Sequence, residues 1–141
     1  MAEQRMIMAR AKSMLGSAPY RVDVDVGRHH LVVDEHERLG GRDDGPTPYE
    51  HLLAGLCACT SITLRMYAER KGWDIGAIGV DLRLTRSGEG ERIDRTIRLA
   101  GDVSPEQQER LADLAERTPV TLTLKRGLEI RTEVRGAGAN A

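Results

Sequence analysis

The sequence predicts an α+β domain built from small antiparallel sheets and two helices, and three observations predict it. Val22, Val24 and Val26 alternate with Arg21, Asp23 and Asp25, the period-two pattern of a half-buried strand. Residues 52–64 (LLAGLCACTSITL) carry no charge, and apolar or small groups on every face mark a buried helix rather than a surface one. A second alternating pair of segments then precedes an amphipathic helix, and sheet segments with only two helices give an α+β architecture.

In order, a weak strand is expected around Met6 to Lys12, then the Val22–Val26 strand, then Gly27-Arg28 as a tight connection into a strand from His30 to Asp34. Residues 36–46 hold Gly40, Gly41, Gly45 and Pro46, which suits a loop. Thr47-Pro48-Tyr49-Glu50 is a capping box: Thr47 can accept from the backbone of Glu50, Glu50 can reach back, and Pro48 fits the first turn. Arg65, Glu69, Arg70 and Lys71 bring this helix out to solvent before Gly72 stops it. Ile78, Val80, Leu82 and Leu84, a Ser87-Gly88-Glu89-Gly90 turn, and Ile93, Ile97 and Leu99 form a hairpin. Ser104-Pro105-Glu106-Gln107 opens the second helix, which runs to about Arg117, with Pro119 just past its end. Leu128, Ile130 and Thr132 read as a last strand. Residues 1–134 are expected as one domain and residues 135–141 as a disordered tail.

Composition narrows the function. With 21 basic and 22 acidic residues and a net charge of −1, no global field favours nucleic acid or anionic lipid. No run approaches the roughly 18 apolar residues of a membrane span, and Cys57 and Cys59 sit together in one apolar run, unlike a secreted disulfide framework. A cytoplasmic protein without nucleic-acid or membrane partners is expected. Aromatic residues make up 3% and Phe is absent, so the core of one chain is thin and burial between subunits is expected.

The order Asp34-Glu35, Gly40-Gly41, Gly45 to Ala54, Ala58-Cys59-Thr60, Leu64 to Ala68 and Lys71-Gly72-Trp73, continuing through Gly101-Asp102, Pro105-Glu106-Gln107 and Ala115 to Val120, resembles the OsmC/Ohr family of organic hydroperoxide resistance and osmotically induced proteins. The likeness runs from about Val22 to Val134. It implies an OsmC-like fold in which antiparallel sheets wrap two central helices of an intertwined homodimer, with active sites at the subunit interface. It also implies that Cys59 is the peroxidatic residue: its thiolate attacks a peroxide oxygen, releases an alcohol and becomes a sulfenic acid. A cation must hold that thiolate in apolar surroundings. The family uses an arginine, matched best by Arg28, with Arg21 and Arg42 as other candidates. It also uses a glutamate, matched by Glu50. Nine residues at about 100° each put Glu50 and Cys59 on opposite faces of one helix, so capping alone also accounts for Glu50.

The chain departs from the family at Thr118, where relatives carry a second cysteine that resolves the sulfenic acid as a disulfide. Cys57 cannot replace it, because residues two apart on a helix diverge by about 200° while a disulfide needs β-carbons about 3.8 Å apart. Where relatives carry glycine, Cys57 packs as a small apolar residue. Three readings of Cys59 stand: a one-cysteine peroxidase resolved by an external thiol reductant, a sensor or non-catalytic dimeric module that binds a small apolar ligand, or an inert buried thiol. No cofactor is expected. His29, His30, His36 and His51 lack metal-ligand spacing, and Thr60, Ser61 and His51 do not make a nucleophile triad.

Overall fold

The computed structural model describes residues 3–138. Its elements are β1 (Ala11–Leu15), β2 (Val22–Val26), β3 (His29–Val33), a short 3-10 turn (Glu37–Leu39), α1 (Pro48–Lys71), β4 (Ile78–Ser87), β5 (Gly90–Leu99), α2 (Pro105–Ala115) and α3 (Pro119–Arg126). The class is α+β with antiparallel sheets, as the alternation predicts. The chain divides into two compact units, one ending at Gly55 and the other starting at Leu56.

The amino-terminal unit is a three-stranded sheet in the order β1-β2-β3. Val26 pairs with His29, so Gly27-Arg28 is a two-residue turn, and Gly27 has φ +58°, a value that the first central position of a type II′ turn requires. β1 begins at Ala11, later than the expected Met6. The expected loop carries one 3-10 turn and is folded back on β3: the Asp34 N–H donates to the Pro46 carbonyl at 3.2 Å. A Cβ at Gly41 would collide with the Glu35 carbonyl, and one at Gly45 with the Val32 carbonyl. Only glycine permits that approach.

The carboxy-terminal unit holds the β4-β5 hairpin, α2 and α3. Its core is Leu64, Ala68, Ile75 and Leu111, with Trp73, Ile97, Leu99 and Leu114 packed against them. Both capping boxes form. Thr47 N–H donates to Glu50 Oε1 at 2.9 Å and Glu50 N–H to Thr47 Oγ1 at 3.3 Å. Gln107 N–H donates to Ser104 Oγ at 3.1 Å, and Ser104 N–H to Gln107 Oε1 at 3.0 Å.

Three expectations change. α1 buries one stripe, Leu56, Thr60, Leu64 and Ala68, while Leu52, Ile62 and Met66 stay exposed, so one chain does not cover the apolar surface of this helix. α2 ends at Ala115 rather than Arg117, and Pro119 starts a third helix whose N-cap is Thr118, because proline suits a first helical position as well as it follows a helix end. Leu128, Ile130 and Thr132 form no strand: among the described residues this segment joins no sheet and is exposed throughout, since alternation without a pairing edge makes no ladder. Residues 135–138 are exposed and residues 139–141, the end of the expected tail, lie outside the described residues.

Candidate functional site

Cys59 lies mid-helix on α1, half-buried, one position before the fully buried Thr60. Its sulfur stands 3.9 Å from Thr63 Oγ1 one turn on, a weak contact. Cys57 is also half-buried, with its sulfur 3.8 Å from the Val80 carbonyl. Both thiols are free, in keeping with their divergent directions on one helix. A half-buried thiol with no disulfide partner retains the capacity for nucleophilic attack wherever a neighbouring cation favours the thiolate.

Arg28 occupies the exposed β2-β3 turn and makes no hydrogen bond or ion pair among the described residues. Arg21 approaches Asp23 at 3.5 Å and Asp44 at 3.6 Å, and Arg42 contributes its backbone N–H to Asp34 at 3.3 Å. These arginines belong to the amino-terminal unit, whereas Cys59 belongs to the other. Glu50 is exposed and closes the cap of α1. The backbone N–H of Thr47 and then its hydroxyl hold the Glu50 carboxyl below its ordinary pKa, as hydrogen bonds to the charged form must.

Sequence reasoning did not single out Asp34 and Arg95. Asp34 is 2% exposed. Its Oδ1 accepts from Glu35 N–H at 2.7 Å, and its Oδ2 from Arg42 N–H at 3.3 Å and Asp44 N–H at 3.2 Å. Burial pushes its pKa up, but those three N–H groups and the Arg42 charge outweigh burial and leave it below the ordinary value. The carboxylate is thereby the staple of the 35–46 loop.

Arg95 lies on β5 between Ile93 and Ile97, in the phase that faces inward. Its Nη1 donates to Thr60 Oγ1 and Thr121 Oγ1, each at 3.0 Å, and its Nη2 to the Ala115 carbonyl at 2.7 Å. Thr118 Oγ1 lies 2.6 Å from Thr121 Oγ1 and Thr118 is fully buried. The position expected to distinguish this chain therefore belongs to a hydroxyl-guanidinium network that ties α1, β5, α2 and α3 together. The signal was present in the sequence: a charged residue in the apolar phase of a strand.

Among the described residues no group of histidine, cysteine and carboxylate side chains has the arrangement of a metal site, and no helix is long and apolar enough to cross a membrane.

The family described as OsmC-like protein matches residues 41–133, well over half of the chain. Among curated proteins none matches. Among solved structures, a protein described as osmotic-stress-induced and of the detoxification response from Psychrobacter arcticus is 15% identical, covers 87% of this chain and 91% of its own, and superposes with a TM-score of 0.71. An organic hydroperoxide resistance protein from Legionella pneumophila is 19% identical, with coverage of 86% and 92% and a TM-score of 0.64. The organic hydroperoxide resistance protein of Bacillus subtilis is 20% identical, with coverage of 83% and 90% and a TM-score of 0.57. At these identities the likeness establishes the shared fold.

Proposed function

The chain belongs to the OsmC-like family, and on that premise we propose that it is a thiol-dependent reductase of organic hydroperoxides with Cys59 as its single reacting cysteine. The observation that carries this reading is a free, half-buried thiol mid-way along α1, at the position where the family resemblance places the peroxidatic cysteine. The Cys59 thiolate attacks one peroxide oxygen, the O–O bond breaks, and the alkoxide leaves to be protonated as the alcohol. The sulfur, oxidised to a sulfenic acid, has no cysteine at 118 to condense with. An external thiol therefore forms a mixed disulfide with release of water, and a second external thiol returns Cys59 to its reduced state. Arg28 and Glu50 are the proposed supporting charges, and a reducing cytoplasm is the setting that two free cysteines favour.

The working form is proposed to be a homodimer. Ile62 and Met66, one turn apart on α1, are 52% and 55% exposed, and Leu128, Ile130 and Val134 are 71% to 89% exposed. A helix face and an extended apolar segment left uncovered in one chain support burial against a second copy.

The test is titration with cumene hydroperoxide and mass-spectrometric trapping of sulfenic acid. The expected result is one oxidation at Cys59, lost in Cys59→Ser, and faster dithiol-dependent turnover in Thr118→Cys. An unreactive Cys59 and no gain in Thr118→Cys would instead support a non-catalytic dimeric module binding a small apolar ligand.

A further inference from the structure

We infer that the carboxy-terminal unit contains a binding site for an amphipathic monocarboxylate, with the Arg95 guanidinium as the receptor for its head group. The inference is independent of the chemistry proposed for Cys59. A groove of about 1320 Å³ runs along this unit, and Arg95 and Thr121 line it together with apolar side chains such as Ile97 and Leu111 and with charged side chains of both signs. A ligand shaped for it has an apolar body and one polar end.

The nature of that end follows from the partners of Arg95. A guanidinium carries five N–H donors. Three hydrogen bonds go to two threonine hydroxyls and a carbonyl, so Nε–H and one Nη2–H carry no hydrogen bond among the described residues. All three acceptors are uncharged, and no carboxylate forms an ion pair with Arg95 among the described residues. The carbonyl belongs to Ala115, the last residue of α2, and the negative end of a helix dipole offsets part of the charge. It does not replace a counterion.

Acidic residues near Arg95 offset its charge only at longer range: Glu116 feels it, but no carboxylate reaches ion-pair distance of the guanidinium among the described residues. Glu116 is held by Lys125 at 2.6 Å, Glu91 by Arg86 at 2.7 Å, and Asp94 by Arg92 at 3.2 Å. Asp102 precedes α2 and Glu109 lies in its middle, whereas Arg95 is bonded to its last turn. The guanidinium is thus pre-positioned by neutral partners, with two N–H groups unbonded in a groove of mixed polar and apolar lining. A carboxylate accepts from two such N–H groups at once and gains more from arginine than any neutral head group does.

The probe is decanoate, with 1-decanol as the neutral control of equal chain length, both titrated into the full chain and followed by calorimetry and amide chemical shifts. Decanoate is expected to bind at least ~10-fold more tightly than decanol, the scale of one charge-assisted contact, with shifts at Ile97, Ala115 and Thr121. Arg95→Met is expected to abolish that preference while retaining the decanol affinity. Equal binding of the two ligands, shifts confined to other residues, or no binding because a second copy fills the groove would each overturn the assignment. Should Arg95→Met fail to fold, the comparison of the two ligands on the unaltered chain decides the matter alone.

Discussion

Asp34 buries a full charge and Arg95 half-buries one, and they differ in how completely their partners use it. Both oxygens of Asp34 are taken up by backbone N–H groups of its own loop, within ten residues of chain. Arg95 instead collects acceptors from α1, α2 and α3, twenty or more residues away, and still has donors to spare beside a groove. A charge that is saturated and sealed serves the fold. A charge that is fixed in place but unsaturated serves the fold and also offers a contact, and that difference separates a loop staple from a binding group.

The sharpest way to break this contrast is Asp34→Ala. It strands three backbone N–H groups and frees the loop that delivers Pro46 and Thr47 to the start of α1. We expect the melting temperature to fall by roughly 10 °C, given the strength of hydrogen bonds to an ionised acceptor, and the Arg42 and Asp44 amides to lose protection from hydrogen exchange. If those amides stay protected, Asp34 is not the staple.

A smaller effect separates the two threonines beside Arg95. Thr121→Val removes an acceptor from Arg95 and the partner of the fully buried Thr118 hydroxyl, so about 1–3 kcal/mol of stability should be lost. Thr118→Val leaves Thr121 bonded to Arg95 and should cost only about 0.5–1.5 kcal/mol. Urea denaturation of both variants checks the order. A larger loss in Thr118→Val would mean that Thr118, not Thr121, governs the network.

How far the sequence was legible follows from what each feature depends on. The β2-β3 hairpin, both capping boxes and the β4-β5 hairpin rest on residues close in sequence, and each was read correctly. α3 was missed because Pro119 reads equally well as the end of one helix and the start of the next, and only the turn at Glu116 and Arg117 decides. The segment from Leu128 to Thr132 has the alternation of a strand, but pairing depends on an edge that its own residues cannot specify. Arg95 was readable from its phase between Ile93 and Ile97. The burial of Asp34 was not, since its partners come from the path of the loop rather than from their side chains.

His30 gives the smallest effect and tests the opposite case, a charge compensated by charges in open solvent. It stands directly across from Asp25 on the paired strands, with Nδ1 3.0 Å from Asp25 and Nε2 3.0 Å from Asp23. Both ring nitrogens can donate to the two carboxylates only in the protonated ring. The hydrogen bond to Asp25, then that to Asp23, accordingly raises the His30 pKa above its ordinary 6.5. Because the folded-state value is the higher one, the stabilisation is fully present below 6.5 and is lost as pH rises through that raised value. Wild type should therefore melt above His30→Asn at acid pH by a degree or so, the scale of an exposed pair. The gap should close as pH climbs past 6.5 and shrink in high salt. A gap that widens with pH would mean that the neutral imidazole is the form the sheet stabilises, and the two aspartates would then be repelling each other across it rather than sharing its charge.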